Sequence, residues 1–324
     1  WQQRHLDRRY GGDLMLASTA ERVYWLGRFI ERAENTARLM LVRHQLVLDL
    51  PKHVQPQWDL LLQVMGVEER FAKRHTAVNE KNIISFVFGE RNNPSSIISS
   101  LSSARENMRT AREIMPSEAW EQTNSLYLRV ARRSLKGLPR GSRHTVLNNI
   151  VQSCQQITGM LAGTMNHDAA YQFIRIGRNL ERADMSTRIV DAASAGLTGS
   201  EEEASPYQNV LWISVLQSLS AYQMYRLTVQ RQVNPQDVLA FLFLSEEFPR
   251  AVTHCLGELE NGMTPLTEQQ RALREIKRVR RRVKAMGYQS LEGPALSEFV
   301  HKVQVDLEAL HNVIGLTWFS SEGA

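Results

Sequence analysis

The chain has few of the features that mark secreted, membrane or metal-binding proteins. Only two cysteines, Cys154 and Cys255, occur in 324 residues. Without a Cys-x-x-Cys pair they support neither a disulfide framework nor a cysteine metal site. The longest apolar run, 238–244, has seven residues, far short of the roughly 18 needed to cross a bilayer. No secretory signal is recognisable. We therefore expect a cytoplasmic protein with no membrane association.

The signatures of the common enzyme classes are also missing. The sequence has no Walker-type loop, no Gly-x-Gly-x-x-Gly, no His-Glu-x-x-His and no Gly-x-Ser-x-Gly. Nucleotide, dinucleotide, zinc-protease and α/β-hydrolase chemistry therefore lack their usual markers. We predict no metal site and no cofactor, so any ATP chemistry would belong to a partner.

The composition and the periodicity indicate a helical protein with a sizeable core. Apolar residues make up 43% and charged residues 23% of the chain, and the net charge is +5, which permits an anionic partner. Apolar residues recur at i, i+3, i+4, and period-2 alternation is scarce. Cap residues before proline, as at Asn93-Pro94 and Asn234-Pro235, are typical of helix starts. The sequence predicts an all-α fold of about a dozen helices, with residues 1–14 as a flexible leader or cloning remnant and 320–324 as a tail.

An internal repeat organises the chain. Residues 23–40 (VYWLGRFIERAENTARLM) match residues 173–190 (FIRIGRNLERADMSTRIV) at an offset of 150. Two weaker matches follow in the same order, at Trp58/Trp212 and at Phe86/Phe241. We interpret this as an internal duplication that gives two homologous helical bundles, 15–150 and 151–319, related by a pseudo-two-fold axis.

The repeated helix has one apolar and one charged face, and its charged positions are the more strictly repeated. The identical pairs are Gly27/Gly177, Arg28/Arg178, Glu31/Glu181, Arg32/Arg182, Ala33/Ala183 and Arg38/Arg188. Core positions tolerate exchanges such as Leu for Ile, and solvated surface positions tolerate most substitutions. Strict identity on the charged face thus disfavours a merely solvated surface. It favours either a buried Arg/Glu network or a ligand site.

The ligand hypothesis gives these residues specific roles. If the two helices meet, their side chains would form one anion-binding cleft, in which the two glutamates orient the arginines. The candidate ligand-binding residues are Arg28, Glu31, Arg32, Arg38, Arg178, Glu181, Arg182 and Arg188. In an alternative hypothesis the protein is an enzyme that forms or cleaves amides, with Glu31 or Glu181 as general base. Gly27 and Gly177 would let a neighbouring helix approach closely, or would mark a bend.

Two other features are candidates for a function. His167 and Asp168 precede the second repeated helix, either as a carboxylate-oriented proton carrier or as a surface residue and a helix cap. The segment 274–284 holds seven Lys or Arg residues. It would form an exposed basic helix face that could dock an acidic partner or bind nucleic acid. A protein adaptor is thus a further alternative, and nucleic acid the less favoured partner.

The runs GRFIERAENTAR and GRNLERADMSTR resemble the Alpha-E family, an all-helical group named for its Glu-Arg motif and usually duplicated. The resemblance covers residues 15–319 and includes the His167-Asp168 segment that precedes the second run. It implies a place in a peptide synthesis or modification system. The implied partners are a circularly permuted ATP-grasp ligase and, further, transglutaminase-like and proteasome-like peptidase proteins. Under this resemblance the protein would be an accessory component that binds a carboxylate, a phosphate or the ligase itself.

Overall fold

The protein is helical throughout the part that the computed structural model describes, residues 15–49, 58–135, 137–196, 208–285, 287 and 293–320. Those ranges contain 14 α-helices, one 3-10 turn and no strand, which confirms the all-α prediction. None of these helices is long and apolar enough to pass through a bilayer. The predicted leader 1–14 and, apart from Ser320, the predicted tail lie outside the described residues.

The helices follow one another with short connections. The first seven are α1 (Ala17–Asp49), α2 (Leu60–Met65), α3 (Glu68–Ala72), α4 (Glu80–Gly89), α5 (Ile97–Thr110), α6 (Ser117–Ala131) and α7 (Arg140–Thr164). The next seven are α8 (Ala169–Gly196), α9 (Gln208–Ser218), α10 (Tyr222–Val229), α11 (Pro235–Leu244), α12 (Val252–Met263), α13 (Gln270–Lys284) and α14 (Gly293–Trp318).

Helices α1 and α8, which carry the two Glu-Arg motifs, pack against each other at the centre of the molecule. Helix α1 also packs on α5 and α7, and α8 packs in the same manner on α12 and α14. Helix α6 contacts α5 and α7, as α13 contacts α12 and α14. This matching order of neighbours is what a duplication would produce, although the duplication itself stays a prediction.

The boundary that the sequence placed between residues 150 and 151 falls inside a helix. Helix α7 runs without a break from Arg140 to Thr164 and packs along α1. Because one continuous helix does not divide two structural units, a division of the chain belongs in the connection between α7 and α8, at residues 165–168. The two units would then be 15–164 and 169–319.

Helix α1 is buried on both of its faces. The predicted apolar stripe is confirmed, since Val23, Leu26, Ile30, Ala33 and Ala37 are at most 4% exposed. Burial of such side chains stabilises the fold by roughly 1.5–3 kcal/mol each for the larger ones. The repeated charged residues are buried too: Arg28, Glu31, Arg38 and Glu181 are at most 8% exposed. A solvated surface is therefore not the reason for the identical charges in the two motifs.

Candidate functional site at the crossing of the two Glu-Arg helices

The two central helices cross at their repeated glycines. A Cβ atom on Gly27 would overlap the backbone carbonyl oxygen of Ile174, and one on Gly177 would overlap that of Tyr24. Each glycine thus lies against the helix turn that precedes the other glycine. This confirms the prediction that Gly27 and Gly177 permit close approach. The contact brings the charged faces of α1 and α8 into reach of each other.

Glu181 on α8 receives two arginines from α1. Arg28 donates from Nε to Glu181 Oε2 at 2.7 Å. Arg32 donates from Nε to Oε1 at 2.5 Å and from Nη2 to Oε2 at 2.9 Å. The glutamate therefore pairs across the crossing, with arginines of the helix opposite its own.

Glu31 on α1 accepts hydrogen bonds from one arginine of α8 and from one arginine of the loop before α12. Arg182 on α8 donates from Nε to Oε1 at 3.1 Å and from Nη2 to Oε2 at 2.8 Å. A further guanidinium, that of Arg250 in the loop before α12, donates from Nη1 to Oε1 at 2.6 Å. The glutamate of each Glu-Arg motif thus pairs with the arginine of the other motif, and Glu31 has one further arginine partner from outside the two helices.

The network extends along α1 beyond the two motifs. Arg250 donates from Nη2 to Glu34 at 2.8 Å and from Nη1 to Asn35 at 2.8 Å. Glu34 also pairs with Arg38 one turn later, within the same helix. On α8 the corresponding pair, Arg188 and Asp184, has a distance of 2.9 Å between Nε and Oδ2. Arg38 and Arg188 are therefore held by intrahelical partners.

The arginines lower the pKa values of the two central carboxyl groups. Burial by itself raises the pKa of Glu181, but Arg32 and Arg28 outweigh it and lower this pKa to about 2. Burial acts in the same sense on Glu31, and Arg182 and Arg250 hold its pKa far below the usual value. Both groups are ionised at neutral pH and engaged by guanidiniums. A general base needs a pKa near the working pH, so this arrangement argues against Glu31 or Glu181 in that role.

Arg28 is held by aromatic residues as well as by Glu181. Its Nη1 donates to the hydroxyl of Tyr24 at 3.4 Å, and its Cζ lies 5.1 Å from the ring centroid of Trp25. The same hydroxyl lies 2.7 Å from His311 Nδ1 on α14. Burial raises the pKa of Tyr24 to about 12 and lowers that of His311 to about 4. Both groups are therefore neutral near pH 7.

Arg178, the counterpart of Arg28 on α8, has no such partners. It forms no hydrogen bond or ion pair with any residue in the described ranges, and its Nε is buried without a partner. Ile174 and Arg175 occupy the positions that match Tyr24 and Trp25. Burial, then the neighbouring Arg182, lowers the pKa of Arg178. Within the described ranges Arg178 is thus the guanidinium of the crossing that has no ion pair, although Glu31 acts on it from a distance.

The second pair of candidate residues has structural roles. Asp168 Oδ1 accepts a hydrogen bond from the backbone N–H of Tyr171 at 3.3 Å, which caps the start of α8. His167 lies 3.0 Å from the carbonyl oxygen of Ala162 through Nε2 and stacks on Tyr171 with a centroid distance of 4.0 Å. Neither side chain bonds to an arginine of the crossing in the described part of the chain. The cap-and-surface interpretation fits this geometry better than a proton carrier.

Sequence reasoning missed Arg250, which is the most connected arginine of the network. The sequence indicated Arg250 only weakly. Pro249 matches Pro94 in the weakest of the three repeated segments, but the residue after it differs: Arg250 in the second copy and Ser95 in the first. This difference between the copies explains the unequal arginines. Arg28 is the second arginine bound to Glu181. At Glu31 the second arginine is Arg250, which takes the place that Arg178 would have by analogy with Arg28.

Comparison with known proteins identifies the family and gives no further assignment. The model of the Alpha-E family, described as a predicted alpha-helical domain with a conserved ER motif, matches residues 15–319. No curated protein and no solved structure matches the chain significantly. The Glu-Arg pairs at the crossing, Glu31-Arg32 and Glu181-Arg182, are two copies of such a motif. Because the match covers nearly the whole sequence, the chain belongs to the Alpha-E family.

Proposed function

We propose that this protein is a non-catalytic accessory component of a cytoplasmic peptide synthesis or modification system. In this proposal it works with a circularly permuted ATP-grasp ligase and binds a carboxylate group at Arg178. The Alpha-E resemblance supplies the system and the partner. The lack of nucleotide-binding motifs supports an accessory role, because ATP chemistry would then reside in the ligase.

The observation that carries the proposal is the unpaired guanidinium of Arg178. A charge without an opposite partner is unfavourable in a partly buried position, whereas the other arginines of the crossing have carboxylate partners. A guanidinium offers a fork of donors that fits a carboxylate in two parallel bonds. Arg250 occupies Glu31, the carboxylate that Arg178 would otherwise pair with. A bound anion would give Arg178 the negative partner that it lacks.

The surroundings of Arg178 limit what can bind there. A cleft beside it is lined by the apolar side chains of Leu26, Ile30 and Leu161 and by the polar side chains of Thr158 and Tyr171. Its volume is about 10 Å³, close to the minimum for one water molecule. This space admits no more than about one ligand oxygen, so the rest of the ligand would remain outside. A peptide terminus or an acidic side chain meets this requirement.

Binding of a minimal carboxylate tests the proposal directly. N-acetyl-alanine and its amide differ only in the carboxylate, and their binding can be compared by NMR titration of the full chain. We expect the acid to shift resonances around Arg178 and the amide to leave them unchanged. Arg178→Gln should abolish the shifts, and Arg129→Gln on α6 should preserve them. Equal shifts with both compounds, or binding that persists in Arg178→Gln, would overturn the proposal.

The partnership with the ligase requires a separate experiment. The protein and a circularly permuted ATP-grasp ligase from the same genome can be mixed and examined by analytical ultracentrifugation. A complex at micromolar concentration supports the assignment to the peptide system. Two independent species at all concentrations would refute the assignment, whatever the result at Arg178.

A further inference from the structure

Helix α13 carries two kinds of basic residue. One kind is paired with neighbouring helices: Arg280 with Glu260 at 2.9 Å, and Arg282 with Asp306 at 2.5 Å. Arg278 joins them, since its Nη2 lies 3.0 Å from Glu275 and 3.2 Å from Asp306. These arginines attach α13 to α12 and α14, and their charges are locally neutralised.

The other kind forms a line along the outside of the helix. Its members, here called the α13 ridge, are Arg274, Lys277, Arg281 and Lys284. Their spacing of i, i+3, i+7, i+10 places them on one helical face over about 15 Å. All four are exposed, and they line an open groove of about 770 Å³.

The ridge has almost no acidic partners within the described part of the chain. Arg274, Lys277 and Arg281 form no ion pair there, and Lys284 lies 3.5 Å from a largely exposed Glu246. Like charges three or four residues apart destabilise a helix by a few tenths of a kcal/mol per pair. Among the described residues, only the pair between Lys284 and Glu246 offsets part of this repulsion.

The fold does not require this positive charge. Helix α6 has the same length of 15 residues and packs between α5 and α7 as α13 packs between α12 and α14. Aligned end to end, α6 carries Glu121, Asn124 and Leu128 where the ridge has Arg274, Lys277 and Arg281. The buried residues of α13 are apolar, and none of them belongs to the ridge. The packing of α13 therefore leaves this charge available for contact with a partner.

We propose that the α13 ridge docks an acidic α-helix of a partner protein. A helix with carboxylates at i, i+3, i+7, i+10 presents negative charges at the spacing of the four cations, so that each cation can pair once. The ridge is a single row of four cations, which one face of a partner helix can match along its length. No aromatic side chain lies among its members for base stacking, which further favours protein over nucleic acid.

Two labelled peptides and one DNA duplex test this docking surface. The first peptide is a helix of about 18 residues with Glu at i, i+3, i+7, i+10, and the second has the same composition with the glutamates scattered around the helix. Fluorescence anisotropy at low and physiological salt gives the affinities. We expect the patterned peptide to bind about tenfold or more tightly than the scattered one, and salt to weaken that binding.

Charge reversal on the ridge identifies the surface. Arg274→Glu/Arg281→Glu should weaken binding of the patterned peptide about tenfold or more. Arg132→Glu/Arg133→Glu, at the exposed end of α6, makes the same change in net charge and should leave binding unchanged. The melting temperature of both variants shows whether they fold. Tighter binding of the duplex than of the patterned peptide, equal binding of the two peptides, or no binding of either would overturn the proposal.

Discussion

Arg250 and Glu31, which are 219 residues apart in the chain, form a buried 2.6 Å hydrogen bond between Nη1 and Oε1. Arg250 also reaches Glu34 and Asn35, and its backbone carbonyl accepts a bond from Ser186 on α8 at 2.8 Å. One residue therefore ties the loop before α12 to both central helices. Because it occupies Glu31, Arg178 has no carboxylate partner among the residues that the structure describes.

Loss of Arg250 should destabilise the protein strongly. Arg250→Gln leaves Glu31 and Glu34 buried with fewer donors, and removal of one partner from a buried ion pair costs about 3–5 kcal/mol. Urea unfolding measures the loss. Arg109→Gln is the control, because Arg109 and Glu106 form a mostly exposed pair whose attraction is screened by solvent. Equal small losses in the two variants would contradict the account of the network.

The two crossing glycines should be far less tolerant of alanine than a glycine elsewhere. Gly27→Ala and Gly177→Ala place a methyl group onto a backbone carbonyl oxygen, so α1 and α8 must separate, and we expect a loss of several kcal/mol. Gly159 lies in the interior of α7 with nothing within 4 Å of its Cβ position. Gly159→Ala should stabilise the protein by up to about 1 kcal/mol. Thermal unfolding of the three variants checks this order, and a stable Gly177→Ala protein would rule out the close crossing.

The buried carboxylates predict acid sensitivity with a defined sign. The folded pKa of Glu181 lies near 2, below its ordinary value of 4.5. The unfolded state therefore takes up the proton first, and the stabilisation is complete above about pH 5 and lost as the pH falls through 2. The shift corresponds to about 3 kcal/mol. The difference in unfolding free energy between the native protein and Glu181→Gln should shrink over this range. A difference independent of pH would show that Glu181 is not the titrating group.

The matched arginines of the two motifs should differ in their effect on stability. Arg28→Gln removes a donor from buried Glu181 and should cost about 3 kcal/mol or more. Arg178→Gln removes a charge that has no carboxylate partner in the described structure, so stability should be unchanged or slightly higher. Urea unfolding of both variants in the absence of anions measures the contrast. Equal destabilisation would mean that Arg178 already has a partner.

Much of the fold could be predicted from the sequence, because helices depend on local patterns. The apolar stripe of α1 is where its periodicity placed it, and Asn234 caps α11 before Pro235, accepting from the N–H of Asp237 at 2.8 Å. The prediction for Asn93 was wrong. Its side chain bonds the backbone of Phe86 and Ser95, and Ser96 caps α5 instead. An asparagine side chain can hydrogen-bond to the backbone of a turn as well as to that of a helix start. Which of the two it does depends on tertiary packing.

The candidate site could be predicted only in part. Identical charges in two helices were enough to indicate that Glu31 and Glu181 face something other than solvent, and two glycines indicated a close approach. The partners could not be deduced, because the exchange across the crossing depends on the relative position of α1 and α8. Arg250 lies far from both motifs in the sequence, and only the tertiary structure brings it to Glu31.

The central claim is that the Glu-Arg motifs hold each other across the helix crossing, and a double-mutant cycle between Glu181 and Arg32 tests it most directly. The unfolding free energies of the native protein, Glu181→Gln, Arg32→Gln and the double variant give the coupling energy of the pair. The reciprocal exchange predicts a coupling of roughly 1–3 kcal/mol. A coupling indistinguishable from zero, with the two single losses simply adding, would contradict it.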